Sequence, residues 1–290
     1  MHQIKSIKIM ETTKKYELTS ETIEFNGSTL YRIRAIRSFG NVKSGDLGGW
    51  IEKEDNLSQI GNAWIGGDAK VYRNAKVFGN AEVYDNARVF GNAHVLGNTK
   101  IYGESKVHGN AQVYGRARVF GNAVVCDNAM VNGKAQVYGN AQICGKAQVY
   151  GNAEVYDNAR VFGNARVYGY AMVGDNARVY GDAKVYDNAI VSDNAIIYGN
   201  AEVFGNAEIY GNAVISGNAK VCNKTDYIVY KNFWSSGRYF TWTRSNNMWK
   251  VGCFYGTGKK LIEKAYRDSE TSGKEYERVV KYVDSILTNK

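Results

Sequence analysis

The chain has no proline, only three histidines and four cysteines, and no long apolar run. Lack of Pro beside 32 Gly excludes collagen and Pro-rich linkers. No stretch approaches the roughly 18 apolar residues of a membrane span. The first ten residues lack an apolar core of signal-peptide length. Cys126, Cys144, Cys222 and Cys253 form no C-x-x-C pair, which argues against a zinc site and for a reducing cytoplasm. No Ser/His/Asp or metal-ligand spacing stands out. Gly256-Thr-Gly-Lys-Lys260 lacks the spacing of a phosphate loop. Neither a metal nor a cofactor is expected.

Repetition fills the space that these absences leave. From Gly61 to Cys222 the sequence falls into 27 blocks of six with no insertion or deletion, and Asp55 to Ile60 is a degenerate block in the same register. The first position is Gly in 20 blocks and the second is Asn in 20. The third is Ala in 25, Thr99 and Ser105 being the exceptions. The fourth is variable and mostly polar, the fifth is Val or Ile in all 27, and the sixth is Tyr or Phe in 17. The aliphatic and the small residue four positions later supply two inward side chains per block, and strand alternation turns the fourth position outward. Gly and Asn tolerate left-handed backbone angles and mark the corner. One block cannot bury its Val alone, whereas stacked coils bury them all, at about 1.5–3 kcal/mol for each fully buried aliphatic. Three blocks per coil give a triangular prism of 18-residue period, a little over nine coils and about 45 Å long. Two blocks per coil give a flatter solenoid, and the columns alone leave both open.

The pattern of an aliphatic, three variable residues, a small residue and one more variable residue, as in Val149-Tyr-Gly-Asn-Ala-Glu154, repeats over residues 55–222 and resembles the hexapeptide signature of left-handed parallel β-helices. That resemblance implies three blocks per coil and a left-handed exception to the usual crossover rule. Under it, Cys126 and Cys144 stack about 4.8 Å apart, within disulfide range, yet a cytoplasmic protein keeps them as thiols.

The flanks leave the repeat. Residues 1–54 read as a cap over one open end, with a hairpin from Thr19 to Ile36 turning at Asn26-Gly27. The stretch Ser38 to Ile51, with Leu57, Ser58 and Trp64, resembles the N-terminal segment of a bacterial and prophage family labelled hexapeptide-repeat acyltransferases. Residues 223–290 read as an independent α+β domain. Three strands are expected at Tyr227 to Phe233, Arg238 to Arg244 and Met248 to Tyr255, followed by two helices. The second helix is expected to start at a capping box, Ser272 and Glu275, with Tyr276, Val279, Val283 and Ile286 as its apolar face. The expected fold is thus mainly β: a left-handed parallel β-helix of about nine coils, an N-terminal β cap and a small C-terminal α+β domain.

Charge is uneven. Residues 1–54 carry 9 basic and 7 acidic side chains, residues 55–222 carry 15 and 14, and residues 223–290 carry 13 and 7. Most of the net +9 therefore sits on the last segment. Arg238, Arg244, Lys250, Lys259 and Lys260 there are candidates for binding an acidic macromolecule, a protein before a nucleic acid; the plain alternative is a solvated basic face. Tyr239, Phe240, Trp242 and Trp249 interleave with these cations, as base stacking would use, but a small sheet needs aromatics for its core. On the prism, an 18-residue period aligns Lys70, Arg88, Lys106, Val124, Gln142, Arg160, Arg178, Ile196 and Val214 in one outward ladder. Its five cations are either a second binding surface or ordinary solubility. Met172, Ile190, Ile196 and Val214 mark a possible homo-oligomer contact.

Hexapeptide-repeat acyltransferases use a histidine base near subunit clefts. Here His2 lies in the tail, His94 and His108 fall on different ladders, and no extruded loop interrupts the coils to shape a pocket. The sequence therefore reads as a non-catalytic rigid binding scaffold in the cytoplasm. Resemblance to prophage proteins implies a phage accessory role, binding or inhibiting a host defence or nucleic-acid enzyme. Acyltransferase chemistry and direct nucleic-acid binding through the basic C-terminal domain are the alternatives.

Overall fold

The computed structural model describes residues 14–288. The N-terminal stretch read above for a signal peptide, and His2, lie outside them. A hairpin of β1 (Tyr16–Phe25) and β2 (Ser28–Ala35) turns at Asn26 and Gly27, both at positive φ. β3 (Leu47–Ile51) pairs antiparallel with β2 and parallel with the first strand of the second coil ladder, Trp50 opposite Lys70 and Ile51 opposite Val71. The cap thus grows into the solenoid as an extra rung.

Twenty-seven two-residue strands follow, β4 (Trp64–Ile65) to β30 (Lys220–Val221), one per block. Each pairs in parallel with the strand 18 residues away, so they sort into three ladders of nine, one of them extended by the cap strands. Three blocks per coil is therefore the architecture, a parallel β-solenoid of nine coils with a tenth begun by β3 and Leu57, which bridges Val77. Main-chain bonds run from coil to coil at constant offset, as in Lys100 N–H to the Ala117 carbonyl at 3.0 Å and Tyr102 N–H to Val119 at 3.0 Å. Every fifth-position Val or Ile and every third-position Ala is buried. The fourth positions are exposed or half-buried, as alternation requires.

The corners explain the first column. All seven non-Gly residues there, Arg73, Asp85, Asp127, Asp157, Asp175, Asp187 and Asp193, adopt positive φ like the glycines. Asp is tolerated because its carboxylate does something useful: Asp85 accepts the Gly103 N–H at 3.1 Å and Asp193 that of Gly211 at 2.8 Å, each one coil on. Asp175 likewise accepts the Asp193 N–H at 3.1 Å. At Gly97, φ is +81° and a Cβ would lie 2.8 Å from the Gly115 carbonyl oxygen, so the corner needs glycine twice over. Sixth-position rings stack along the corners; Tyr84, Tyr102, Phe120 and Tyr138 follow one another at 4.8–5.1 Å between centroids.

Both ends are closed. At the start, Tyr16 joins the solenoid core and its hydroxyl donates to the Leu57 carbonyl at 2.7 Å. The fully buried Lys15 ammonium donates to the Ala63 carbonyl at 2.7 Å. Buried Asn56 donates to the Ala75 carbonyl at 2.8 Å. At the far end the C-terminal domain is the plug. Thr241 Oγ1 accepts the Val214 N–H at 3.0 Å, Ser245 Oγ the Lys220 N–H at 2.7 Å, and the Tyr227 hydroxyl donates to the Glu208 carbonyl at 2.9 Å. This domain has its own core of Phe240, Trp242, Trp249, Val251, Leu261 and Tyr276 with further helix residues, but it is not free of the prism as the sequence suggested.

The domain differs from expectation in two more places. It has four antiparallel strands, β31 (Tyr227–Lys231), β32 (Tyr239–Thr243), β33 (Met248–Val251) and β34 (Phe254–Gly256). The run from Met248 to Tyr255 is broken because Gly252, at φ +53°, makes a turn inside it. Helix α1 (Gly258–Asp268) is followed almost at once by α2 (Glu270–Thr288), which starts before Ser272. The Ser269 hydroxyl accepts the Ser272 N–H at 3.1 Å, so the cap is Ser269 and no capping box forms at Ser272. Tyr276, Val280 and Val283 are the buried face of α2; Val279 is partly buried and Ile286 is exposed.

Two outcomes test this account. Val113→Asp puts a carboxylate among fully buried Val and Ala, so it should cost roughly 3 kcal/mol or more, while Gln112→Asp, exposed and one residue earlier, should change stability by less than about 0.5 kcal/mol. Denaturant melts of the two variants check it. The second concerns Lys15, whose pKa falls from 10.5 to about 8, through burial first and the Arg37 charge second. Below about pH 8 both folded and unfolded chains hold the proton and the penalty is complete. Above it the unfolded chain holds a proton that the folded chain has lost, so stability should rise from pH 8 to about pH 10, by about 1–2 kcal/mol. Tyr16, raised by burial, works in the opposite sense above pH 10. Lys15→Met should remove the rise between pH 8 and 10 in denaturant melts.

Candidate functional site

Two contrasting sets stand out among the aromatic residues in and around β31–β33. Phe240, Trp242 and Trp249 face the helices and are buried, as a small sheet demands. Phe233 and Trp234, in the turn after β31, are 72% and 76% exposed. The turn is held in place by Asn232, whose Oδ1 accepts the Trp234 N–H at 3.0 Å and whose Nδ2 donates to Ser235 at 2.9 Å. Beside it lies a groove of about 370 Å³ between β31 and α2, lined by Ile228, Tyr230, Trp234, Val279 and Tyr282. Arg278 in its lining pairs with Glu275 at 2.5 Å, and in the turn Lys231 lies over Phe233 at 5.0 Å and over Tyr239 at 5.4 Å. Sequence reasoning missed this groove. The signal was Phe-Trp within a Ser- and Gly-containing turn, where no core position is available.

The five tail cations do not fall on one element. Arg238 and Arg244 flank β32 and are exposed. Lys250 in β33 is half-buried over the Tyr198 ring at 5.8 Å, facing the prism. Lys259 and Lys260 occupy the first turn of α1, the end where a helix dipole disfavours cations. On the prism, the ladder from Lys70 to Val214 is in register as expected, each residue opposite the next. Its first two cations are covered: the Phe25 ring of the cap lies 5.2 Å from Lys70 and 5.2 Å from Arg88. Lys106, Arg160 and Arg178 remain exposed. The four apolar residues lie on two faces: Met172 pairs with Ile190 on one, Ile196 with Val214 on another. The backbone of Val214 is bonded to the C-terminal domain.

Each of the two described histidines contacts a phenylalanine ring. His94 meets Phe78 edge-on at 6.3 Å and His108 lies on Phe90 at 4.7 Å. Burial pushes the His108 imidazole below its ordinary value, with Asp127 opposing and Lys106 assisting. Among the described residues neither imidazole is hydrogen-bonded to a carboxylate.

The next two places in the His108 stack are Cys126 and Cys144, 4.8 Å apart between Cα atoms and joined as a disulfide. The spacing is as expected; the thiol state is not. Two sulfurs held in adjacent coils by main-chain bonding need no rearrangement to close. They lie with an Asp127 carboxylate oxygen within 4.8 Å of one another, but the closed bond takes both sulfurs out of use as metal ligands.

A family model described as YdcK Beta solenoid repeat matches residues 81–97, 111–127, 125–139, 153–169, 159–175 and 183–199. The repeat is similar to that family in these stretches, all of them inside the coils. No curated protein matches the chain. Among the described residues no helix is long and apolar enough to cross a membrane.

The disulfide sets a simple count. A thiol reagent should label the folded protein twice, at Cys222 and exposed Cys253, and four times after reduction. Reduction should lower stability by up to about 3 kcal/mol, the scale for closing a loop of this length. Four labels without reduction would show that the pair is open.

Proposed function

We propose that the protein is a non-catalytic, rigid scaffold that grips a protein partner with its C-terminal domain. The observation that carries this is the pair Phe233 and Trp234, exposed at 72% and 76% on a hydrogen-bonded turn beside an apolar groove. Large exposed aromatics are costly to leave in water, and Trp and Tyr with Arg are the side chains that dominate binding energy in interfaces. The six excess positive charges of residues 223–290 favour a partner with an acidic rim. The solenoid supplies stiffness and length. A phage accessory role, with a host defence or nucleic-acid enzyme as the target and the host cytoplasm as compartment, rests on the family resemblance. The closed Cys126–Cys144 bond argues against that compartment. Among the described residues, the histidines open to the acyltransferase reading are His94 and His108.

Capture from a bacterial lysate, with and without nuclease, followed by reconstitution with the purified partner, tests the reading. Phe233→Ser with Trp234→Ser should weaken binding at least tenfold and leave the melting curve unchanged. Replacing Arg238, Arg244, Lys250, Lys259 and Lys260 by Gln should weaken binding and flatten its salt dependence. His94→Ala with His108→Ala should bind as wild type. Loss of capture on nuclease treatment would favour the nucleic-acid reading, and full binding by the Phe233/Trp234 variant would overturn the groove.

A further inference from the structure

The repeat is regular enough for its breaks to be informative. In the second column, Asn departs seven times in 27, at Asp68, Glu104, Arg116, Lys134, Lys146, Tyr170 and Asp182. Three of these, Arg116, Lys134 and Tyr170, fall within four consecutive coils of one corner, with only Asn152 intervening. All three are exposed. Together with the fourth-position residues Arg118, Gln136 and Glu154 they line one hollow of about 530 Å³ on the prism face.

The substitutions work against stability. Where Asn is kept, the amides bond from coil to coil, as Asn92 to Asn110 at 3.0 Å and Asn110 to Asn128 at 3.1 Å. Arg116 and Lys134 forgo that bond and bring like charges onto adjacent coils about 4.8 Å apart, with Arg118 on the same coil as Arg116. Among the described residues none of the three cations is in an ion pair. The carboxylate in the hollow, Glu154, is instead bonded to Gln136 at 3.2 Å and to the Tyr138 hydroxyl at 3.1 Å. Three unneutralised cations in one concavity attract an anion.

The rest of the lining tells what carries the anion. Amides and a carboxylate with spare lone pairs receive hydroxyl groups. A single exposed ring, Tyr170 at 65%, is enough for the flat face of a sugar but gives no stacking platform for successive bases. Glu154 would repel closely spaced phosphates. The hollow is also extended. Arg118 is opposite Lys100 in the ladder, and Lys100, itself paired with Glu82 at 3.0 Å, begins a second hollow of about 690 Å³ between the same face and the cap loop at residues 40–47, walled by Trp64, Tyr84 and Asn98 with Asp46 at the loop side. Seven rungs, from Trp64 to Met172, span about 29 Å at the strand spacing.

We propose that Arg116, Arg118, Lys134 and Tyr170 form a site for an anionic oligosaccharide, a short sugar chain bearing carboxylate or sulfate groups, laid along this face. The site is separate from the C-terminal groove and stands whether or not that groove binds protein.

The test is calorimetric titration of the full chain, carrying the five Gln substitutions in the C-terminal domain so that those cations do not contribute. The probes are a galacturonate hexamer, a sulfated hexasaccharide, neutral maltohexaose, a DNA hexanucleotide and inorganic phosphate. One of the two anionic sugars should bind at least tenfold more tightly than the other four probes, and which one identifies the anion. Arg116→Asn with Lys134→Asn restores the repeat consensus, so the variant should melt at or above the parent temperature. It should nevertheless bind at least tenfold more weakly, and Tyr170→Asn should weaken binding severalfold. Equal binding of maltohexaose, tighter binding of DNA, phosphate matching the anionic sugars, no binding by any probe, or an unaffected Arg116/Lys134 variant would each overturn the proposal.

Discussion

Everything in this molecule depends on one hydrogen-bond pattern, the transfer of each strand's amides to carbonyls one coil further on. It demands that every coil contain the same number of residues, and 27 blocks without insertion or deletion meet that demand. Because the pairing is exact, each column of the sequence becomes a line in space. Val stacks on Val in the interior, ring on ring and amide on amide at the corners, and Cys126 on Cys144. The glycines and aspartates of the first column serve the same pattern, since only a left-handed backbone turns the corner without lengthening the coil.

A ladder of this kind has two raw ends, and the chain treats them with different chemistry. The N-terminal end is closed from within, by a strand that joins the ladder and by side chains, Lys15, Tyr16 and Asn56, that donate to carbonyls of the first coils. The C-terminal end is covered by hydroxyls of Thr241 and Ser245, which accept the last coil's amides. The C-terminal domain therefore belongs to the structural economy of the prism, and its groove is held at a fixed place on the rod.

Period, inward and outward columns, and the 18-residue spacing were legible because each is a local consequence of repetition. The limits lay where contacts between distant segments decide. Nothing in the sequence of the hairpin announces that Phe25 reaches over Lys70 and Arg88, so two of the five cations in one ladder were read as open surface although the cap covers them. Gly252 divides what alternation presented as one strand, and Ser269 took the capping role assigned to Ser272. The oxidation state of Cys126 and Cys144 is set by compartment and not by spacing. The cations of the prism were grouped by fourth-position ladder, which hid Arg116 and Lys134 in the second column beside Arg118 in the fourth. Exceptions to a consensus marked the hollow better than charge did.

The three-block coil also fixes direction. Loss of one block would leave every remaining strand with a legitimate partner, yet everything beyond the deletion would be turned by a third of a revolution about the rod. Loss of three blocks would shorten the rod by one coil and restore the heading. The angle between the cap and the C-terminal groove is thus counted in sixes and the distance between them in eighteens. A lineage of such chains can change reach while keeping aim only in steps of a whole coil.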